Sequence, residues 1–72
     1  MDMKTFLNKT SRQQRESIAD EAGTTVAYLW QIAGGHSKPG AILCRRIETA
    51  TNGKVKVAEL RPDIFNKHYP SR

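Results

Sequence analysis

One cysteine, Cys44, stands in a chain of 72 residues. That count excludes an internal disulfide and any cysteine-rich zinc module. A fold this small with neither staple nor metal relies on well-packed helices or on a partner subunit. The length allows one domain. It argues against a stand-alone enzyme, because such a chain buries only ~60% of its unfolded surface and has little room to enclose a substrate cleft. Apolar residues make 38% of the sequence, a little below the usual share, so a core is feasible but small. Every uninterrupted apolar run falls far short of the roughly 20 residues that a membrane helix needs, so no membrane partner is expected. With no disulfide and no signal-like start, a reducing, cytoplasmic setting is expected.

Twelve Lys and Arg against seven Asp and Glu give a formal charge of +5. That excess asks for a polyanionic partner, with nucleic acid as the first candidate. Charge carried for solubility alone is the competing reading. The distribution is informative: residues 22–47, between Glu21 and Glu48, hold no acid, yet Lys38, Arg45 and Arg46 fall inside.

Hydrophobic spacing and punctuation divide the chain into helices. Asp2 caps a first helix from Met3 to about Lys9, with Phe6 and Leu7 as its buried pair. Thr10 or Ser11 opens a second, rich in strong helix formers, which places Ile18, Ala19 and Ala22 on one face and ends at Gly23. Thr25 caps a third, Val26 to Ala33, whose Val26, Leu29 and Ile32 share a face. Gly34 to Gly40 reads as a loop. A fourth helix is expected from about Pro39 to Thr51, with Leu43, Ile47 and Ala50 as its apolar stripe and Asn52-Gly53 as its stop. The alternating Lys54 to Val57 is too short for a sheet. It reads as an extended lead into a helical turn, Val57 to Leu60, which Arg61-Pro62 ends. Ile64 and Phe65 are expected to fold back onto the core, and residues 66–72 to form a mobile basic tail.

Two short helices meeting at a three-residue turn with glycine is the arrangement of a helix-turn-helix. Ala19 is small where the two helices cross, Gly23 supplies the turn, and Ile18, Ala22, Leu29 and Ile32 lock the crossing. An ordinary helical hairpin in another small bundle has the same needs. The residues from Arg15 to Gly35, with Ala19, Gly23, Thr25, Leu29 and Ile32 in their places, resemble the helix-turn-helix of phage Cro and repressor proteins, the lambda-repressor-like fold. The later phrases Ile47-Glu48-Thr49-Ala50-Thr51-Asn52-Gly53 and Glu59 to Phe65 look like small prophage regulators of the Cro and YdaS-type antitoxin group.

The resemblance implies an all-α, five-helix lambda-repressor-like domain over residues 1–65, with the motif at about 15–35. It implies that Val26–Ala33 lies in the major groove of double-stranded DNA. Gln31 is then the best base reader, since its amide donates and accepts together and matches adenine N6 and N7. Ala27 and Val26 are placed to touch a thymine methyl, and Thr25 to serve as cap and contact. Phosphate contacts are expected from Arg12, Gln14 and Arg15 at the start of the second helix, from Tyr28, and from His36, Ser37 and Lys38 in the loop. Trp30 has three open roles: packing on the loop or the fourth helix, contact with DNA, or an anchor between subunits. Arg45 and Arg46 face phosphate, a partner subunit or water. This chain departs from the family in holding Val26 and Ala27 where polar side chains usually stand, and its recognition helix carries no charge. Specificity then leans on methyl contacts and DNA shape, and affinity on flanking groups.

Other chemistry finds little support. His36, His68 and Cys44 lack metal-ligand spacing, and Cys44 reads as a small buried apolar residue. Asp20 and Glu21 are adjacent on a helix and point apart. Gly34-Gly35 and Lys38 lack the spacing of a phosphate-binding loop. No catalysis and no cofactor are expected. The reading is a phage-type transcriptional repressor bound as a homodimer to an operator, with Ile64, Phe65, Val55 and Val57 as candidates for self-association. Two alternatives stand beside it: the DNA-binding antitoxin of a toxin partner, and a helical protein-interaction module.

Overall fold

The computed structural model describes residues 1–65, so the tail expected over 66–72 lies outside the described residues. Among the described residues there are five helices and no strand: α1 (Met3–Asn8), α2 (Arg12–Ala22), α3 (Val26–Ala33), α4 (Ala41–Ala50) and α5 (Val57–Leu60). The all-α expectation holds. No helix among these residues is long and apolar enough to cross a membrane.

Local chemistry sets the first three helices. Asp2 caps α1 by accepting from the Thr5 N–H at 2.8 Å. Ser11, rather than Thr10, caps α2. Its hydroxyl accepts from the Gln14 N–H at 3.1 Å while the Gln14 carboxamide accepts from the Ser11 N–H at 2.8 Å, a reciprocal capping box. Gly23 ends α2 at φ 76°, in the left-handed region that a side chain occupies only under strain. The Thr24 N–H reaches the Ala19 carbonyl at 2.8 Å and the Gly23 N–H that of Asp20 at 3.1 Å, which satisfies two carbonyls left open at the helix end. Thr25 then caps α3, accepting from the Tyr28 N–H at 3.1 Å.

The helices close on one core. α2 packs on α4 and α3, α1 on α3, and α4 on α5. Met3, Phe6 and Leu7 of α1 meet Ile18, Ala19 and Ala22 of α2, Leu29 and Ile32 of α3, and Ile47 and Val55. Ala19 is buried, as its small size at the crossing requires.

The fourth helix departs from expectation. It starts two residues late, at Ala41 after a Gly40 cap that makes no side-chain bond. Pro39 does not open it: it is fully buried in the loop, and its carbonyl accepts from Arg61 Nη1 at 2.9 Å and from the Cys44 thiol at 3.7 Å. The buried line is Cys44, Ile47 and Thr51, with Leu43 and Ala50 only partly buried beside it. Thr51 Oγ1 donates to the Ile47 carbonyl at 2.9 Å and accepts from the Val55 N–H at 3.2 Å, so one hydroxyl ends the helix and anchors the next segment. Val55 is completely buried, which corrects its assignment to a self-association surface. The Met1 ammonium closes over this segment, donating to the Lys54 carbonyl at 2.9 Å and pairing with Glu59 at 2.9 Å.

Candidate nucleic-acid interface

Helix α3 is amphipathic in a way that leaves one face free. Leu29 and Ile32 point into the core, while Thr25, Ala27, Trp30 and Gln31 are exposed. Val26 and Tyr28 lie between: both are half-buried and pack against the core, so less of each side chain remains for a partner. The turn after α3 folds back on it. The Ser37 hydroxyl donates to the Gln31 carboxamide oxygen at 3.3 Å, which steadies the side chain expected to read a base. The His36 ring lies over Gly34, where a Cβ would stand 2.9 Å from its Cδ2; glycine is what lets the imidazole sit there. Lys38 is exposed beside it. Thr25, Ala27, Trp30, Gln31 and the 36–38 loop thus gather along one helix and its C-terminal turn.

The residues at the start of α2 behave differently. Arg12 is exposed and pairs with Glu16 one turn on, at 3.4 Å. Gln14 is exposed, with its carboxamide oxygen engaged in the capping box and its NH₂ free to donate outward. Arg15 is half-buried. Its Nη1 donates to the Thr10 carbonyl at 2.6 Å and the Leu7 carbonyl at 3.1 Å, and its guanidinium lies 5.6 Å from the centre of the Trp30 ring. Trp30, 37% exposed, therefore rests under an arginine of α2 with part of its ring open to solvent.

The acid-free window of the sequence is not acid-free in space. A shallow groove beside the N-terminal end of α3 is lined by Glu16 and Asp20 as well as Thr24, Thr25 and Val26. Spacing of four on α2 puts both carboxylates on one face, but only the α2–α3 crossing brings that face to Thr25. His36 and Lys38 follow the C-terminal end of α3, and Arg15 stands over Trp30. Arg46 also approaches the motif, with Nη1 3.3 Å from where a Cβ would stand on Gly23. Arg45 lies 5.3 Å over the Phe65 ring.

Arg61 binds Asp63 through two hydrogen bonds, 2.9 and 2.7 Å, near enough to Lys38 for the lysine's charge to act on Asp63. The bond from Arg61 is the chief reason the Asp63 carboxyl falls to about 2. Two other carboxyls are lowered by backbone donors first: Asp2 by the Thr5 N–H and Glu59 by the Lys56 N–H. Burial pushes the Cys44 thiol up.

A family model described as bacterial toxin YdaS matches residues 14–69. The chain belongs to the YdaS family. The match runs from the capping box of α2 past α5, so it takes in all of α3 and the Arg61–Asp63 turn. A YdaS-like resemblance was expected from the Ile47–Gly53 and Glu59–Phe65 phrases, and the two agree. A relative from Escherichia coli (strain K12), named as a prophage transcriptional regulatory protein, is 31% identical over 65 residues, covering 90% of this chain and 98% of the relative.

Proposed function

We propose that this YdaS-family chain is a prophage-type transcriptional regulator that binds double-stranded DNA sequence-specifically, with α3 in the major groove, and that it acts as a repressor. The observation that carries the reading is the free face of α3, where Thr25, Ala27, Trp30 and Gln31 are exposed together above a fully buried Leu29. The regulatory name of the relative supports it. Gln31 reads a base edge, steadied by Ser37, and Ala27 meets a thymine methyl. Lys38, His36 and Ser37 hold phosphate on one side, Arg12 and Gln14 on the other. The acids at Glu16 and Asp20 make the first grip the stronger, because they oppose a backbone passing the N-terminal end of α3. Occlusion of a promoter by the bound domain is the proposed mode of action.

One small module reads few base pairs, so two copies on paired half-sites follow. Ile64, 42% exposed, and Ile42, 69% exposed, are the apolar side chains available for that contact; the second was not foreseen from the sequence.

Gel-shift titration against DNA beside the chain's own gene tests the reading. A specific complex near 10⁻⁸ M or tighter is expected at roughly 0.15 M salt. If about five phosphates are neutralised per subunit, log K falls with log salt at a slope near −4 to −5. Gln31→Ala should cost about 1–3 kcal/mol on the cognate site and little on random DNA. Absence of any specific complex returns the chain to a protein-interaction module. Sedimentation with and without DNA tests the dimer, and a monomer in both removes it.

The family's description favours a second reading, toxicity on expression. If the α3 face carries it, Gln31→Ala relieves growth arrest along with DNA binding. Toxicity that survives Gln31→Ala lies elsewhere.

A further inference from the structure

Arg15 touches three helices at once. It leaves α2, donates through Nη1 to the Leu7 carbonyl in the last turn of α1 at 3.1 Å and to the Thr10 carbonyl in the turn that follows at 2.6 Å, and lays its guanidinium 5.6 Å from the Trp30 ring centre on α3. The carbonyls at a helix C-terminus carry partial negative charge and want a cationic donor. The aromatic face wants a cation above it. A planar guanidinium satisfies both; the ammonium of lysine, a point charge on a flexible stem, does not. No acid pairs with Arg15 among the described residues.

We infer that Arg15 is a positioning residue, which clamps the Trp30 indole flat so that its open edge joins Gln31 in the surface offered to DNA, and that it does not serve as a phosphate anchor. The inference rests on the DNA-binding reading. Trp30 immediately precedes Gln31, and both are exposed. A loose indole there would have to be ordered on binding, at a cost in side-chain freedom. A clamped one meets DNA already in place.

Trp30 is the sole tryptophan, so its fluorescence reports the clamp directly. The full chain is compared with Arg15→Met, Arg15→Lys and Trp30→Leu. In the free protein, Arg15→Met should raise the quenching of Trp30 by acrylamide and lower its anisotropy, and Arg15→Lys should fail to restore either. On the specific duplex both Arg15 variants should bind roughly two- to fivefold more weakly, the scale of an exposed cation–π contact. The salt slope should stay at its wild-type value, and the loss should vanish in a Trp30→Leu background, because the two residues act as one unit. Thermal melts identify a variant that is simply unfolded, and Arg15→Lys, which keeps the charge and donors, then carries the test. A slope smaller by about one in Arg15→Met, with Trp30 quenching unchanged and losses that add to those of Trp30→Leu, would overturn the inference and make Arg15 a phosphate anchor. A wild-type chain that binds no duplex overturns the DNA reading itself, and with it the purpose assigned to the clamp. Binding with additive losses overturns the clamp alone.

Discussion

The α2–turn–α3 unit and the segment from Pro39 to Phe65 are held together by different means. In the first, each junction is settled within a few residues: Ser11 with Gln14, Gly23 with Ala19 and Asp20, Thr25 with Tyr28. In the second, α4 begins without a side-chain cap and depends on contacts made far along the chain. Arg61 holds the Pro39 carbonyl across 22 positions, and the Met1 ammonium holds Lys54 and Glu59 across more than 50. The unit that carries the exposed face is locally determined, and its support is determined by tertiary packing. A surface that must keep its geometry when it meets a partner gains from that arrangement, since its own turns need no distant help.

The difference can be broken or sharpened by substitution. The largest effect should come from Ile47→Ala, which opens a cavity where α4 meets α2 and should cost about 2–5 kcal/mol in urea unfolding. One cooperative transition is expected. Two transitions would mean that the halves fold as separate units and that the contrast is deeper than packing. Next, Thr51→Val removes the hydroxyl that meets the buried Val55 N–H, and should cost about 1–3 kcal/mol although the side-chain volume hardly changes. A neutral result would show that the 51–55 turn does not need that bond.

In the locally determined unit, Gly23→Ala forces a Cβ into the left-handed region and should cost about 1–2 kcal/mol. The new Cβ would stand 3.3 Å from Arg46 Nη1, the far end of a flexible side chain, so backbone strain sets the cost rather than a clash. A loss in DNA affinity larger than the loss in stability would sharpen the comparison further, because it would tie turn geometry to the α3 face.

The smallest effect concerns acid. Asp63 falls from 3.8 to about 2 in the fold, held there chiefly by its bond from Arg61. A lowered folded value means that the stabilisation is present above 3.8 and is lost as pH falls from there through about 2. The carboxyl is exposed, so the effect is screened and small. Melting temperatures of wild type and Asp63→Asn should differ at neutral pH and converge near pH 2. Curves that stay parallel would remove the Arg61–Asp63 pair from the forces holding the second segment.

The same contrast explains what could be read from the chain beforehand. The start of α1, the end of α2 and the start of α3 follow rules of capping and turn chemistry that act over three or four residues, so Asp2, Gly23 and Thr25 declared their roles. The start of α4 did not, because Pro39 is a good first-turn residue by local rules and a buried acceptor by tertiary ones. Leu43 looked as apolar as Ile47, yet the packing buries Cys44, against the Pro39 carbonyl, and Thr51, against the Val55 N–H, beside Ile47. Val55 alternated with two lysines like a surface strand, and only the Thr51 hydroxyl and the closing N-terminus show why it is inside. At the candidate site, the exposed residues of α3 were legible from its periodicity. The bond from Ser37 to Gln31, the Arg15 clamp and the acids near Thr25 were not: the first depends on how the turn after α3 folds back, and the other two join residues that only the helix crossings bring together.

Cys44 is the chain's one thiol, it has no exposed surface, and burial raises its titration point. Alkylating reagents attack the thiolate, so this sulfur stays silent while α4 lies against the body of the protein. Its rate of modification is a built-in clock for how often that packing opens, readable by mass without any added label site. Run with and without duplex, the same clock measures how far a partner on the opposite helix tightens the support beneath it.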